Sequence, residues 1–483
     1  MDLDLQPSPW KYLPFELGEC EDLENYEPGG FHPVHLSDVY DGRYKVVHKL
    51  GFGGFSTVWL ARDNVTNRWV ALKVIAARDS PTYEARSTIA SHPSIVGSRL
   101  FAVADRRFWI DGPNGRHLCL VFPVLGPNLA KLSKGIYSRM KPGFAKEVSL
   151  QAAQALAHLH SNGLCHGDFT VHNIALHLSN GFDSCNENDL VELFGHPQTA
   201  PVRTYTEKPP RPHAPDYIVV PLDFCSPTAN TVLGRDICVI DFDQSFTIED
   251  PPSDGVGIPA KYLAPEVAVG RSASPASDIW ALGCAIFRIR SGDDLFFDYD
   301  TNCPEDALRQ IVKVMGDLPG EWKQTEFDED GFAVAKGEQG NPFWSLKEKR
   351  PLKDRVAGII DEPPSLFISS QGEAVEAILD DAIVEDGDGR GTVTFDEEFA
   401  VPYPAPIASM VWKPTAICVE GDYFAAYSDE TDEMLKAFPR ISGSEALLLA
   451  DLLFKTFEYD PAKRIKAHEL VTHAWFHPAA GFE

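Results

Sequence analysis

Basic residues are in short supply in this 483-residue chain. It has 43 Lys and Arg against 71 Asp and Glu, a formal net charge of −28. Phosphate backbones are held by Lys and Arg, so this balance argues against direct nucleic-acid binding. It suits basic partners, and it equally suits plain solubility. No stretch approaches ~18 uninterrupted apolar residues, so no membrane-spanning helix is expected. The opening "MDLDLQPSPW" is acidic and lacks the apolar centre of a signal peptide. The nine cysteines never form CxxC pairs, and an odd number cannot all be bridged. Free thiols in a reducing compartment are expected, not a disulfide framework. Internal repeats and long low-complexity tracts are missing as well.

What remains is an ordinary globular composition, 44% hydrophobic and 24% charged. The length allows two or three ordinary domains, or one large two-lobed enzyme with insertions. Residues 1–43, rich in Pro, Gly and acid, read as an extended N-terminal arm. From Tyr44 the segments "YKVVHKLGF", "STVWLARD" and "WVALKVIAA" are β-rich and separated by turn formers, which predicts a small antiparallel sheet. After about residue 126 helical periodicity takes over. In "FAKEVSLQAAQALAHLHSNG", Val148, Ala152, Leu156 and Leu159 share one face, and Asn162-Gly163 supplies a stop. Two stretches interrupt this order. Residues 175–236 hold "NENDLVELFG", a short helix, and the Pro-rich "EKPPRPHAP"; residues 320–440 mix acid, Gly and Pro with short helical pieces. The expected fold is α+β, with a small antiparallel N-terminal lobe over 44–125. A mainly helical C-terminal lobe is expected over 126–483, carrying both insertions.

Several motifs along this frame suit the handling of phosphate. "LGFGGFSTVWL" puts Gly51, Gly53 and Gly54 between two strands, where backbone N–H groups can approach a triphosphate. The third glycine of the usual pattern is Ser56, and such a loop alone also fits a plain hairpin. "VALK" follows on the next strand. Lys73 would reach the α/β-phosphates, while Ala71 and Val58 would pack on an adenine ring. Lys73 needs a carboxylate to hold it, and Glu84 in "TYEARSTIA" is the candidate. "LCHGDFTVHN" then supplies Asp168 and Asn173, and "CVIDFDQSF" ends an apolar strand at Asp241. Two carboxylates and an amide on separate loops can hold Mg²⁺ between the β- and γ-phosphates of ATP. Asp168 would orient and deprotonate a hydroxyl, Asn173 would hold one metal ion, and Asp241 would hold metal from the other side.

Three further features belong with a protein substrate. "YLAPEV" gives Glu266 and "YDPAKRIKAHELVTHAWF" gives Arg464, a prospective buried pair under a peptide-binding segment. Asp278 in "SDIWALGC" would accept hydrogen bonds from the backbone of the Asp168 loop.

In this chain order these residues resemble the eukaryotic protein kinase fold over about residues 44–480. More narrowly they resemble the SR-protein-kinase (SRPK) family, within the CMGC group that also holds cyclin-dependent and MAP kinases. The segment "ENYEPGGFHPVHLSDVYDGRYKVVHKLGFGGFSTVWLARD" is similar to that family's opening. "LCLVFPVLGPNL" is similar to its lobe-connecting segment, with Pro123 where an acid is usual. The family also interrupts its kinase domain where residues 175–236 lie, and "LRQIVKVMGDLPGEW" is similar to the start of the group's C-lobe insert. The resemblance implies a non-specific serine/threonine protein kinase that uses ATP and Mg²⁺. Its implied substrates are basic Arg/Ser-rich proteins, usually splicing factors, in cytoplasm and nucleus, and a monomer is expected. It adds Leu50, Phe122 and Leu125 to the nucleotide-lining residues.

The departures are specific. Gly167 replaces an arginine that usually receives a phosphate, so control by phosphate at Ser245, Thr247 or Ser253 loses its partner. Thr170 replaces a lysine that usually contacts the γ-phosphate. Losing one such donor costs about 10²–10³ in rate, by analogy with oxyanion-hole deletions. Protonated His172 is a prospective substitute for that charge. Asp243 stands where glycine is usual, and Leu263 where arginine is. A pseudokinase, or a small-molecule phosphotransferase with an "HGD" loop, therefore stays open beside an active protein kinase. The Glu266, Asp278 and Arg464 set speaks against the small-molecule reading. "DGDGRGTVTFDEEF" fits a calcium loop at Asp386, Asp388, Gly391 and Glu397, but Arg390 sits at a ligand position and a solvated acidic turn is expected.

Overall fold

The computed structural model describes residues 10–14, 17, 19–86, 92–133, 139–179, 181–226, 228–253, 255–335, 339–361, 393–394, 409–412, 418–419 and 439–477. The prospective calcium loop lies outside these residues apart from the two-residue strand Val393–Thr394. Among the described residues no helix is long and apolar enough to cross a membrane. The chain forms two compact units, one of residues 1–126 with 176–243, the other of 127–175 with 244–483.

The first unit is built on a six-stranded sheet of β1 (Val39–Tyr40), β2 (Tyr44–Phe52), β3 (Ser56–Asp63), β4 (Arg68–Ile75), β5 (Arg106–Gly112) and β6 (Gly115–Phe122). The strand order is β1-β2-β3-β4-β6-β5, and every pairing is antiparallel. The expected antiparallel sheet is therefore present. One short helix, α1 (Ser80–Arg86), follows β4.

The segments before and after this sheet are not loose appendages. Val34 from the N-terminal segment and Val219 from the spacer share a core with Tyr44, Trp59, Leu72 and Val121 on one face of the sheet. A second core joins Tyr12, Leu23, Tyr26 and Phe31 to Val202, Ala214 and Ile218. Backbone bonds stitch the same segments together: Leu13 N–H donates to Arg203 O at 2.9 Å, and Leu222 N–H to Lys49 O at 2.9 Å. The expected extended arm is thus a packed layer, and residues 176–243 group with the sheet and not with the helical part. Apolar side chains spaced widely among Pro and Gly carry no periodicity, yet each buries large area once the two segments meet. The expected helix in "NENDLVELFG" forms at Glu187–Phe194. A capping box of Asn186 and Asp189 starts it, and Gly195 at φ 76° ends it.

The second unit is mainly helical. Pro142–Ser161 starts with Pro at its first turn, and the expected face of Val148, Ala152, Leu156 and Leu159 is fully buried. Pro275–Ser291 begins with a Ser274/Ser277 capping box and ends at Gly292 in the left-handed region. Pro304–Met315 and Gly443–Thr456 complete the larger helices. A two-strand ladder, Leu164–Cys165 against Phe246–Thr247, fixes the loop that follows Cys165.

Candidate active site

Register decides which side chains of the first unit share a sheet face. Gly51 lies opposite Val58, Val58 opposite Lys73, and Lys73 opposite Leu120; Leu60, Ala71 and Phe122 form the next row. Cross-strand partners and alternate residues point the same way. Val58, Ala71, Lys73 and Phe122 therefore occupy one face, while Trp59, Leu72 and Val74 on the other face are covered by the arm and spacer. Leu50 and Gly51 lie near the end of β2, Ser56 opens β3, and Leu125 follows β6. The turn between β2 and β3 is closed by Gly53 N–H donating to Ser56 O at 2.9 Å. A Cβ added at Gly53 or Gly54 would meet no protein atom within 4 Å, so internal packing does not require glycine there. Bare backbone at that turn keeps its N–H groups approachable.

Lys73 Nζ donates to Asp241 Oδ1 at 2.9 Å and to the Tyr83 hydroxyl at 3.4 Å. Burial, which favours the neutral amine, is outweighed by Asp241, Tyr83 and Asp243, and the ammonium is held above the ordinary lysine range. The expected partner Glu84 is not its carboxylate. Glu84 lies one residue past Tyr83 on α1 and accepts from Trp109 Nε1 at 3.3 Å. Successive side chains on a helix diverge by about 100°, so with Tyr83 turned to Lys73, Glu84 is carried away.

Asp241 is presented by the strand Leu233–Val239. Val239 N–H donates to Leu100 O at 2.8 Å, and Ala102 N–H to Val239 O at 2.9 Å. Phe242 is buried edge-on against Phe101, with ring centroids 5.7 Å apart. Asp241 itself adopts φ 64°, a left-handed conformation uncommon outside glycine but one that Asp visits more readily than most residues.

In the second unit the Asp168 loop is held from beneath. Both oxygens of the buried Asp278 are occupied: Oδ2 accepts from His166 N–H at 2.8 Å and Oδ1 from Gly167 N–H at 2.9 Å. His160 Nε2 lies 3.1 Å from the same carboxylate. Asn173 Nδ2 donates to Asp168 Oδ2 at 2.6 Å and to Asp168 O at 2.9 Å, which turns the amide oxygen of Asn173 away from the carboxylate. For the implied Mg²⁺, the amide oxygen of Asn173 and the carboxylate of Asp241 are the hard oxygen donors that ion takes, so the residue types fit.

Gly167 is more than a missing arginine. Its φ is +80°, and an added Cβ would stand 2.2 Å from Gln244 O. Next to it, buried Ser245 donates its hydroxyl to His166 O at 3.0 Å, and Gly257 N–H donates to Gln244 Oε1 at 3.0 Å. The sequence alone did not single out Gln244 as the neighbour that makes this glycine necessary. The expected Glu266–Arg464 pair is formed and bidentate, at 2.7 and 2.9 Å, with both side chains buried.

His172 is disfavoured as a source of the charge absent at buried Thr170. The residue is exposed as a whole, but enclosure of its ring, with Lys261 and Arg288 nearby, holds its pKa below the ordinary value. That direction, set against the opposing pull of Asp294, disfavours the protonated imidazole that the expected substitution requires. Lys261 is itself engaged by Asp294 at 2.8 Å.

A strand-built unit with a glycine turn and Lys73, and a helical unit with the Asp168 loop and the Glu266–Arg464 pair, define the class as a protein kinase. The protein kinase domain family matches residues 44–184 and 228–476, and the chain belongs to it. Within that family it is SRPK-like, of the CMGC group. It is similar to the serine/threonine-protein kinase SRPK of Physarum polycephalum, 28% identical over 355 residues, which are 68% of this chain and 81% of that protein. It is 34% identical over 180 residues to the serine/threonine-protein kinase spk-1 of Caenorhabditis elegans, covering 35% of this chain and 18% of the relative. It is 38% identical over 167 residues to SRSF protein kinase 3 of Homo sapiens, covering 33% of this chain and 30% of the relative. The chain thus spans a minor part of the worm and human relatives and most of the slime-mould one.

Proposed function

We propose that this chain is an ATP- and Mg²⁺-dependent serine/threonine kinase that phosphorylates serine in basic Arg/Ser-rich protein segments. The observation that carries this reading is the Asp168–Asn173 pair seated on Asp278. It leaves a carboxylate and an amide oxygen in fixed positions on one loop. Bound Mg²⁺ would neutralise charge on the β- and γ-phosphates. Lys73 and Asp241 would orient the phosphates and the ion, and the sheet face of Val58, Ala71 and Phe122 would receive the adenine. Asp168 would take the proton of the serine hydroxyl as it attacks the γ-phosphorus, with ADP leaving. The substrate class rests on the name of the human relative, an SRSF protein kinase, and on the acidic balance of −28, which suits a basic partner. A monomer working in cytoplasm and nucleus belongs to the same proposal.

A second reading, a pseudokinase scaffold, is favoured by one feature. Thr170 has no ammonium and the lowered pKa of His172 disfavours a substitute charge there, so the γ-phosphate clamp is weakened. The buried Glu266–Arg464 platform speaks against a small-molecule phosphotransferase. Acceptor preference tests the main reading: transfer from labelled ATP is measured to an Arg-Ser repeat peptide, an Asp-Ser repeat peptide and an aminoglycoside. Transfer confined to the Arg-Ser peptide is expected. Equal transfer to both peptides, or transfer to the aminoglycoside, removes the substrate assignment.

A further inference from the structure

Lys73 has an unusual set of neighbours for a phosphate-binding lysine. Among the described residues, Asp241 is the one carboxylate within ion-pair distance of it. Its other neighbour is Tyr83, whose hydroxyl lies 3.4 Å from Nζ and whose ring centroid lies 5.0 Å from it. Tyr83 is not a loose side chain, because its ring packs on Ile75, Leu118 and Leu120 beneath α1. Asp241 is also the residue that the phosphotransfer reading assigns to metal. A carboxylate that turns to Mg²⁺ gives up part of its hold on the ammonium. What then stays in direct contact with Lys73 is the neutral aromatic beside it, with the Asp243 carboxylate acting on the ammonium from further off.

We propose that Tyr83 is the positioning residue for Lys73, holding the ammonium by its ring face and hydroxyl in the role a helix carboxylate would otherwise fill. The proposal rests on the phosphotransfer reading given above. The physical distinction is charge. A second carboxylate would neutralise Lys73, whereas a ring quadrupole attracts the cation and leaves its charge intact for phosphate. The same arrangement explains why Glu84 can be spent on Trp109.

Two readouts test it. The first, in nucleotide-free protein, is the rate at which an amine-reactive acylating reagent labels Lys73, followed by mass spectrometry. The second is the KM for ATP against kcat. Tyr83→Leu is expected to speed labelling and raise KM about tenfold with kcat little changed, and Tyr83→Phe, which keeps the ring, to recover most of both. Glu84→Ala is expected to label as wild type does. Faster labelling in Glu84→Ala, or wild-type labelling in Tyr83→Leu, overturns the proposal. Glu84 is exposed, so Glu84→Ala can overturn the proposal even if Tyr83→Leu does not fold. Tyr83→Phe, which keeps the packed ring, then carries the test of the hydroxyl. If wild type binds no ATP, the phosphotransfer reading fails on the second readout, while labelling still reports on Tyr83 by itself.

Discussion

The carboxylate of Glu21 and the ammonium of Lys49 form an ion pair inside the first unit, both side chains almost wholly buried. The Tyr26 hydroxyl donates to the other carboxylate oxygen at 2.7 Å, and Lys49 Nζ lies 5.1 Å from the Trp59 ring centroid. Lys49 lies opposite Trp59 on the face covered by the arm, while its neighbour His48 lies opposite Leu60 on the other face, and both are buried. The arm is thereby tied to the strand two residues before the glycine turn. Replacing Glu21 with Ala leaves a buried, uncompensated ammonium and is expected to lower unfolding free energy by about 3–5 kcal/mol, measured by urea denaturation. The Glu21→Leu, Lys49→Met double variant should recover most of that loss. A single variant of wild-type stability would mean that the arm does not depend on this pair.

Gly167 is expected to tolerate no side chain. In Gly167→Ala, the clash with Gln244 O and the left-handed backbone together should displace the segment that follows Gln244, at a cost of at least ~1–2 kcal/mol. Hydrogen exchange at Ser245–Ile248 reads this directly, as faster exchange. Because nothing at position 167 can receive a phosphate, phosphatase treatment should leave the transfer rate unchanged. A large drop would contradict this.

The buried Arg464–Glu266 pair should respond to geometry as well as charge. Arg464→Lys keeps the charge but cannot make the bidentate contact, nor the bonds from the same guanidinium to Ala276 O and Glu458 O. Both Arg464→Lys and Glu266→Gln are expected to lose several kcal/mol of stability, up to the ~3–5 of a broken buried pair. Lysine rescue to within ~0.5 kcal/mol would show that charge alone suffices.

Acid should destabilise the first unit through its buried histidines. Burial, with His117 and His35 close by, lowers His32 from 6.5 to about 3, and burial also lowers His117 and His48. The unfolded chain takes up these protons near its ordinary histidine pKa and the folded chain does not. Stability is therefore complete above pH 6.5 and is lost progressively as pH falls toward 3. Denaturation midpoints at pH 7.5 and 5.5 should differ in wild type, and the difference should shrink in His32→Phe. An unchanged difference would assign the acid sensitivity elsewhere.

The sheet, the main helices and the Asp168 loop were legible because each writes its own local pattern. Alternation marks β2–β4, and the face Val148, Ala152, Leu156 and Leu159 marks Pro142–Ser161. Asp278 and the Glu266–Arg464 pair were legible as motifs, in "SDIWALGC", "YLAPEV" and "YDPAKRIKAHELVTHAWF". Tyr83 was not, because a one-residue rotation of a seven-residue helix decides between it and Glu84, and that rotation is set by packing on Ile75 and Leu118. The place of the arm and spacer was hidden for a related reason. Tyr12, Tyr26, Val202 and Ile218 join one core from segments nearly 200 residues apart, and no local period announces such a meeting.

The account stands most directly on one single-turnover measurement with labelled ATP, Mg²⁺ and an Arg-Ser repeat peptide. Wild type, Asp168→Asn and Asp241→Ala would be compared, with binding of a fluorescent ATP analogue followed in parallel. Wild type is expected to transfer phosphate, and each variant to lose about 10²-fold or more of the rate, while Asp168→Asn still binds nucleotide. Wild-type transfer no faster than that of the two variants would contradict the kinase assignment and leave a nucleotide- or partner-binding scaffold in its place.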